Sequence, residues 1–348
     1  MTVMKPRLSV VLPCYRVEPY LRRCLDSLLK QTMEGIELVC VNDGSPDNSL
    51  LILQEYACQY GDHRVVVIDQ ENAGVWNARK RGIEAASGEY IGFIDPDDYV
   101  SEDYAEKLYL AAKAQNADVA CCGFDRIDAG TGKRYSREMT KFPYRSFDIQ
   151  HEPGLLPEVN AALWNKIYRA ELLKCMPEFR HVPQVLDDMV FLQLIFLNAR
   201  TIVFVKESLI FYMVRRDSII SSLKPEQIPG VYEAMKELRD IVAETRPERL
   251  QCMDALAFLH LDISLMHRVS AGGAKILNQA LKENRVFLDS EFPGWRRNPY
   301  ICLPYVLHHH GANGKLWLVR RIYSLHLDVP FLLFYGGLID RLGVCIKW

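Results

Sequence analysis

Gly88-Glu89-Tyr90-Ile91-Gly92-Phe93-Ile94-Asp95-Pro96-Asp97-Asp98-Tyr99 is the stretch whose reading decides the fold. Tyr90 to Ile94 is apolar and rich in β-favouring residues, which predicts a short buried strand entered from the Ser87-Gly88 turn. Pro96 cannot donate to a sheet ladder, so the strand must end there. Past that end stand three carboxylates within four residues, Asp95, Asp97 and Asp98. Like charges so placed repel unless something positive comes between them. Carboxylate oxygens are the ligands that Mg²⁺ or Mn²⁺ prefers. Read in isolation, the same residues also describe a solvated acidic turn, with Asp98 capping a helix started by Ser101-Glu102-Asp103.

Outward from this stretch, apolar runs alternate with helical patterns. Leu8 to Leu12 reads as a first strand stopped by Pro13, followed by a helix with Leu21, Cys24, Leu25, Leu28 and Leu29 on one face. Ile36 to Val41 is a second strand running into the turn residues Asn42-Asp43-Gly44-Ser45-Pro46-Asp47, with a helix from Leu50 to Tyr60 beyond. Val65 to Ile68 is a third strand, and Asn72-Ala73-Gly74 turns the chain into a helix over Trp76 to Ala86. Strands that are apolar throughout and alternate with helices imply a parallel α/β sheet. Ligands of such sheets bind beyond the carboxyl ends of the strands, which brings Asp43 and Asp95 to one crevice. Neither G-x-G-x-x-G after the first strand nor G-x-x-x-x-G-K-[ST] anywhere is present. A bound nucleotide must therefore be held by acids, a metal and loop backbone.

Composition narrows the class further. The 348 residues suggest a catalytic domain with a C-terminal addition, and 49% hydrophobic with 25% charged residues is ordinary for a globular protein. A net charge of −2 offers no general attraction to nucleic acid. Ten cysteines without a C-x-x-C pair suggest reduced thiols in the cytoplasm rather than zinc or a disulfide framework. Lys5-Pro6-Arg7 leads straight into the first strand, so no secretory leader is expected. The longest apolar run, Phe331 to Ile339, is nine residues, far short of the roughly 20 that span a bilayer.

Four segments together resemble the family 2 glycosyltransferases with the GT-A fold. They are Ser9-Val10-Val11-Leu12-Pro13-Cys14-Tyr15, Val41-Asn42-Asp43-Gly44-Ser45-Pro46-Asp47, Glu71-Asn72-Ala73-Gly74 with Ala78-Arg79, and the acidic segment Gly88 to Tyr99. Three later segments extend the likeness. Trp164-Asn165-Lys166-Ile167-Tyr168-Arg169 is similar to the W-x-K-x-Y-R segment, and Asp187-Asp188-Met189-Val190-Phe191 to the E-D-x-x-F motif. Tyr212 to Ile220 is similar to the Y-x-x-R…S-I segment, with Arg215 and Ser218 at matching places. Arg16 and Lys80 stand where Asn is usual, and Asp187 stands for Glu. The resemblance implies a mixed, mainly parallel GT-A sheet with flanking helices over residues 1–224; from Pro225 its motifs stop, and Tyr232 to Thr245, Leu250 to Ser270 and Ala274 to Leu288 read as helices of a C-terminal region over 225–348. The nucleotide-sugar half is expected at about 1–125 and the acceptor half at about 126–224. It further implies an inverting transferase that uses a UDP-sugar, with Asp188 as general base.

Chemistry assigns the remaining roles. Asp43 can accept from uracil N3–H, and Pro13 and Tyr15 can pack on the base. Arg79 suits phosphate, or an ion pair with Asp95. A cation on Asp97 or Asp98 stabilises the leaving diphosphate, while Asp95 contacts ribose or a metal-bound water. On the acceptor side Trp164 is a sugar platform or core, Lys166 a polar contact, and Asp187 a neighbour of the base. In residues 295–348 seven Lys/Arg face two Asp, and Leu316, Val319, Ile322 and Tyr323 share a helical face beside Arg320 and Arg321. That pattern fits peripheral contact with an anionic membrane, at the inner face if the saccharide acceptor is lipid-linked, or equally packing on the protein itself. The run His308-His309-His310 reads as a solvated loop. The competing readings are a nucleotidylyltransferase, whose Gly-rich basic signature is missing, and an inactive membrane-bound scaffold, against which the retained acids argue.

Overall fold

The computed structural model describes residues 5–61, 63–215, 223 and 225–342, with side chains followed to Tyr335. Ser218 and Ile220 of the Y-x-x-R…S-I segment, and Lys347 of the basic C-terminal set, lie outside the described residues. The chain divides into two compact units. The first comprises 1–147, 162–177 and 198–215, and the second 148–161, 178–197 and 216–348. They interleave along the sequence, whereas the sequence suggests a single boundary at 224/225. The chain therefore returns to the first unit twice before leaving it.

The first unit begins with β1 (Leu8–Cys14), α1 (Glu18–Leu29), β2 (Ile36–Asp43), α2 (Ser49–Tyr60), β3 (Val65–Gln70), α3 (Val75–Ala85) and β4 (Tyr90–Phe93). It continues with β5 (Tyr99–Val100), α4 (Tyr104–Ala114), β6 (Val119–Asp128), β7 (Arg134–Glu138) and β8 (Ser146–Asp148). Later segments return as β9 (Lys166–Arg169), α5 (Ala170–Lys174) and, after α6 (Asp187–Phe196) in the second unit, β10 (Thr201–Val214). The strands form one mixed sheet in the order β3-β2-β1-β4-β9-β6-β10-β5, with β7 on β6 and β8 on β10. β3, β2, β1 and β4 run parallel, as do β6 and β10, while β9 is antiparallel to both β4 and β6. β1, β2 and β4 are almost wholly buried, which is why they read as unbroken apolar runs instead of alternating ones.

A buried polar knot fixes the strand that carries the acids. Glu37 on β2 is 6% exposed and accepts from Ser9 Oγ at 2.5 Å, Ser87 N at 3.0 Å and Ser87 Oγ at 2.8 Å. Gly88 N donates to Ser9 Oγ at 2.8 Å. A Cβ on Gly88 would sit 2.6 Å from Ser9 N, so only glycine allows the turn to lie this close to β1. Strands β1, β2 and β4 are thus tied at their entry before the chain reaches Asp95.

The second unit is helical: α6, α7 (Ile228–Thr245), α8 (Leu250–Ala257), a π-helical stretch over Phe258–Leu265, α9 (Met266–Val269) and α10 (Ala274–Glu291). α11 (Leu303–His308), α12 (Gly314–Ser324) and α13 (Asp328–Leu342) follow. At its centre Asn284 Nδ2 donates to Asp262 Oδ1 at 2.8 Å and Tyr323 O–H to the Asp262 carbonyl at 3.1 Å. Burial pushes the Asp262 carboxyl up to about 6. Leu316 and Val319 on α12 are buried here and Tyr323 is held by that bond, so the face the sequence offered to a membrane is turned into the protein. Among the described residues no helix is long and apolar enough to cross a membrane, and the nine cysteines are free thiols.

Glu37→Ala should lower stability by about 1–3 kcal/mol, because Ser9 and the Ser87 N–H lose their buried acceptor. Urea unfolding should show an earlier midpoint with an unchanged slope. An unchanged midpoint would mean that the knot contributes nothing to the fold.

Candidate active site

Parallel pairing sets the strand ends at one edge of the sheet. β1 pairs with β2 up to Cys14↔Asn42 and with β4 up to Val11↔Phe93, after which Ile94 N donates to Val11 O at 3.2 Å. Asp43 and Asp95 therefore emerge on the same edge, on either side of Pro13 and Tyr15, and Tyr15 is 42% exposed. The loops after β1 and β2 are laced together. Arg16 N donates to Ser45 Oγ at 2.7 Å, Glu18 N to Asp47 Oδ2 at 3.1 Å, and Asn48 N to Glu18 Oε2 at 3.0 Å.

Asp43 is 3% exposed, and its carboxylate organises the next loop. Oδ1 accepts from Gln70 Nε2 at 2.7 Å and Ala73 N at 2.8 Å, and Oδ2 from Gly74 N at 2.9 Å. Asn72 Nδ2 closes the turn on the Asp43 carbonyl at 2.9 Å. The Asn72-Ala73-Gly74 segment is thereby held against the end of β2. Gly44 takes φ +64°, and a Cβ there would meet Asn72 N at 2.7 Å. Asp43 thus holds the next loop, and Oδ2, which accepts from Gly74 N, has further acceptor capacity.

The three acids of the opening stretch separate into different environments. Asp95 has a third of its side chain exposed and lies 3.7 Å from Nη2 of Arg79, which is itself 4% exposed. Of the two roles open to Arg79, the ion pair behind the acidic loop is the one observed. Asp97 is partly exposed and ion-paired with Arg215, while Arg23 Nη2 holds its carbonyl at 3.1 Å. The Arg215 guanidinium also lies over the Tyr20 ring at 4.5 Å.

Asp98 points the other way. It is 1% exposed, accepts from Met213 N on β10 at 2.8 Å, and has no partner at its buried Oδ2. Burial, then the charges of Asp97 and Asp95, hold its carboxyl well above the usual carboxylate range. Turned inward with its carboxylate on the Met213 amide, Asp98 does not face the open strand end, so its assignment as a ligand is corrected: it pins the acidic turn to β10.

A cation fits the remaining geometry. Asp97 presents hard oxygens at the strand end and already attracts a positive group, the Arg215 guanidinium. Among the described residues no three His, Cys, Asp or Glu side chains gather into a metal site. Asp97 would hold such an ion together with oxygens of a diphosphate, the usual arrangement for Mg²⁺, with Asp95 beside it towards ribose or a metal-bound water.

On the acceptor side the structure decides between the two readings of Trp164 and changes that of Lys166. Trp164 is 6% exposed, edge-on to Phe124 with ring centroids 4.7 Å apart and stacked on Tyr212 at 5.3 Å. It is core, not a platform. Lys166 is fully buried, with Nζ donating to Ala162 O and Asn165 Oδ1, each at 2.6 Å. Burial in that carbonyl cage removes it from any acceptor and makes it a brace at the start of β9. Asp187 and Asp188 open α6 in the second unit, both partly exposed, behind Leu186 at φ +64°. Arg215 and Tyr20 join the site although sequence reasoning did not place them there. The Y-x-x-R likeness was the one signal for Arg215, and Tyr20 carried none.

A sheet of this topology, with acids and loop amides gathered where its parallel strands end, defines the GT-A class of nucleotide-diphospho-sugar transferases. The family profile described as glycosyl transferase family 2 matches residues 9–176. The chain is 32% identical over 292 residues to EpsH of Bacillus subtilis, a protein designated a glycosyltransferase, covering 80% of this chain and 81% of that one. It is 29% identical over 278 residues to the poly(ribitol-phosphate) beta-glucosyltransferase of Bacillus spizizenii, covering 76% of this chain and 42% of that one, less than half its length. The crystal structure of S. aureus TarS 1-349 in complex with UDP-GlcNAc aligns with a TM-score of 0.63 at 20% identity, covering 84% of this chain and 92% of that one. The chain belongs to glycosyl transferase family 2, and it is a glycosyltransferase.

Titration with Mn²⁺ and UDP should separate the neighbouring acids. Asp97→Asn should lose cation-dependent UDP binding, whereas Asp98→Asn, whose amide oxygen still accepts from Met213, should keep it. Loss in both variants with the fold intact would restore Asp98 as a ligand.

Proposed function

We propose that the protein is an inverting glycosyltransferase that moves a sugar from a UDP-sugar to a saccharide acceptor, free or lipid-linked, in surface polysaccharide assembly. The observation that carries this reading is the Asp97–Arg215 pair: a strand-end carboxylate that already holds a positive group beside the loops laced around Asp43. The base of the nucleotide packs on Pro13 and Tyr15, and Asp43 Oδ2 accepts from uracil N3–H. The diphosphate lies towards Asp95 and Asp97. A divalent cation, Mn²⁺ or Mg²⁺, supplies Lewis-acid stabilisation of the departing diphosphate there. Arg79, buried behind Asp95, pairs with that carboxylate and fixes its place.

In the transfer, the acceptor hydroxyl oxygen forms a bond to the anomeric carbon as the bond from that carbon to the diphosphate oxygen breaks. Configuration inverts. The hydroxyl proton passes to Asp188, and the electron pair of the broken bond leaves with UDP. Asp188 is assigned this role from the D-D-x-x-F likeness and from its place in the first turn of α6, with Asp187 beside it. Proton removal of this kind contributes roughly 10²–10⁴-fold in rate. The acceptor's position on a lipid carrier would place the reaction in the cytoplasm at the inner face of the membrane.

Asp188→Asn should bind UDP and Mn²⁺ normally yet lose transfer by at least ~10²-fold, with Asp187→Asn less affected. Wild-type turnover in Asp188→Asn would move the base elsewhere, and loss of UDP binding would place the residue in the donor site. Asp43→Ala should weaken UDP binding by about 1.5–3 kcal/mol, measured by calorimetry. Equal affinity in mutant and wild type would remove Asp43 from the nucleotide site.

A further inference from the structure

The inward turn of Leu316 and Val319 leaves α12 with a different outer face. Lys315, Leu318 and Arg321 on its exposed side, with Leu325 at its C-cap, recur at helical spacing. Leu318 is 54% and Leu325 68% exposed. The helices packed beside α12 behave alike: Leu303 and Leu307, one turn apart on α11, are 45% and 73% exposed, and Phe334 on α13 is 70% exposed. Leu327, in the short link to α13, is 48% exposed. Of the fourteen large apolar residues exposed among the described residues, six lie between 303 and 334. Single exposed leucines need no explanation, but such a concentration on adjacent short helices does.

Charge decides what this surface fits. Between Phe292 and Tyr335 the one carboxylate is Asp328, which is 9% exposed and ion-paired with Arg285. Arg297, Lys315 and Arg321 are exposed in the same stretch. Glu158 attracts Lys315 and the half-exposed Glu152 lies beside His309, so a second copy seated face to face would bring three cations against their own equivalents with few acids to receive them, and an isologous dimer is disfavoured. Leucines flanked by Lys and Arg match the boundary of an anionic bilayer, where side chains bury in the acyl region and cations meet the headgroups.

We propose that the outer face of α11, α12 and the start of α13 docks on an anionic lipid surface, through Leu307, Leu318, Leu325 and Phe334 with Arg297, Lys315 and Arg321. This goes beyond the transfer reaction and holds whether or not the acceptor is lipid-linked. No helix inserts across the bilayer. Contact is peripheral and reversible, and salt weakens it, because its electrostatic part is screened within about 10 Å at 0.1 M ionic strength.

The test is sedimentation of the full chain with vesicles of phosphatidylcholine and phosphatidylglycerol, at low salt and at high salt. The wild type should bind the mixed vesicles at low salt, release at high salt, and ignore pure phosphatidylcholine. Each basic residue near an anionic surface is worth roughly fivefold in partitioning, so Arg297→Ala with Arg321→Ala should cost about 25-fold. Leu318→Ser with Leu325→Ser should also lose binding, while circular dichroism and UDP affinity stay at wild-type values. Failure of a monomeric wild type to bind the mixed vesicles would overturn the proposal in favour of a protein partner. Dimerisation abolished by the leucine variant would overturn it in favour of a second copy. Because UDP affinity is read separately, failure of docking leaves the proposed transfer reaction standing, and failure of that reaction leaves docking standing.

Discussion

The hydrogen bond from Met213 N to Asp98 is the contact on which the arrangement of the acidic turn depends. It joins the end of β4, from the first half of the unit, to β10, which the chain reaches only after leaving for the second unit and returning. By taking Asp98 inward it forces Asp95 and Asp97, on either side of Pro96, towards solvent. A buried carboxyl with one backbone donor is expensive to keep ionised, and burial together with its two acidic neighbours favours its neutral form. Asp98 is thereby withdrawn from the outward carboxylates of the turn, leaving Asp95 and Asp97. The remaining two are each met by an arginine, Arg79 behind and Arg215 in front.

At both ends of the strands, other carboxylates serve the backbone. Asp43 accepts from Ala73 and Gly74 N–H, Asp47 from Glu18 and Ser49 N–H, and Glu37 from Ser87 N–H. Each satisfies amide groups in loops that have no ladder partners, which is what lets loops at a strand edge hold a fixed shape. The loops after β1, β2 and β3 are consequently held by their own hydrogen bonding. Catalytic geometry built on such loops needs this support, because positional error in a transferring site is costly in rate.

The helical unit shows a different balance. Its interior contains a π-helical stretch, with Asp262 and Asn284 bonded to each other at full burial. Its outer helices keep large apolar side chains in solvent. A polar pair thus sits inside an otherwise apolar core, which includes Phe258, Leu261, Leu281 and Leu288, while further apolar side chains remain on the outer helices.

Much of this was legible in the chain itself. Apolar runs ended by Pro13, Asp43 and Pro96 announced strands β1, β2 and β4 and the edge at which their ligands gather, because parallel strands buried on both faces leave no alternation to misread. The motifs around Asp43, Arg79 and Asp95 likewise identified the family. What the sequence could not decide was direction. In an irregular turn side chains have no period, so nothing in Asp95-Pro96-Asp97-Asp98 says which carboxylate turns inward; Met213, 115 residues away, decides it. The burial of Lys166 depends on carbonyls supplied by its own loop, and that of Trp164 on Phe124 and Tyr212 from β6 and β10. For α12 the sequence determined that one face would be apolar, but a helix with leucines on two sides has two candidate inner faces. Only packing on Asp262 and its neighbours chose Leu316 and Val319 for the core and left Leu318 and Leu325 outside.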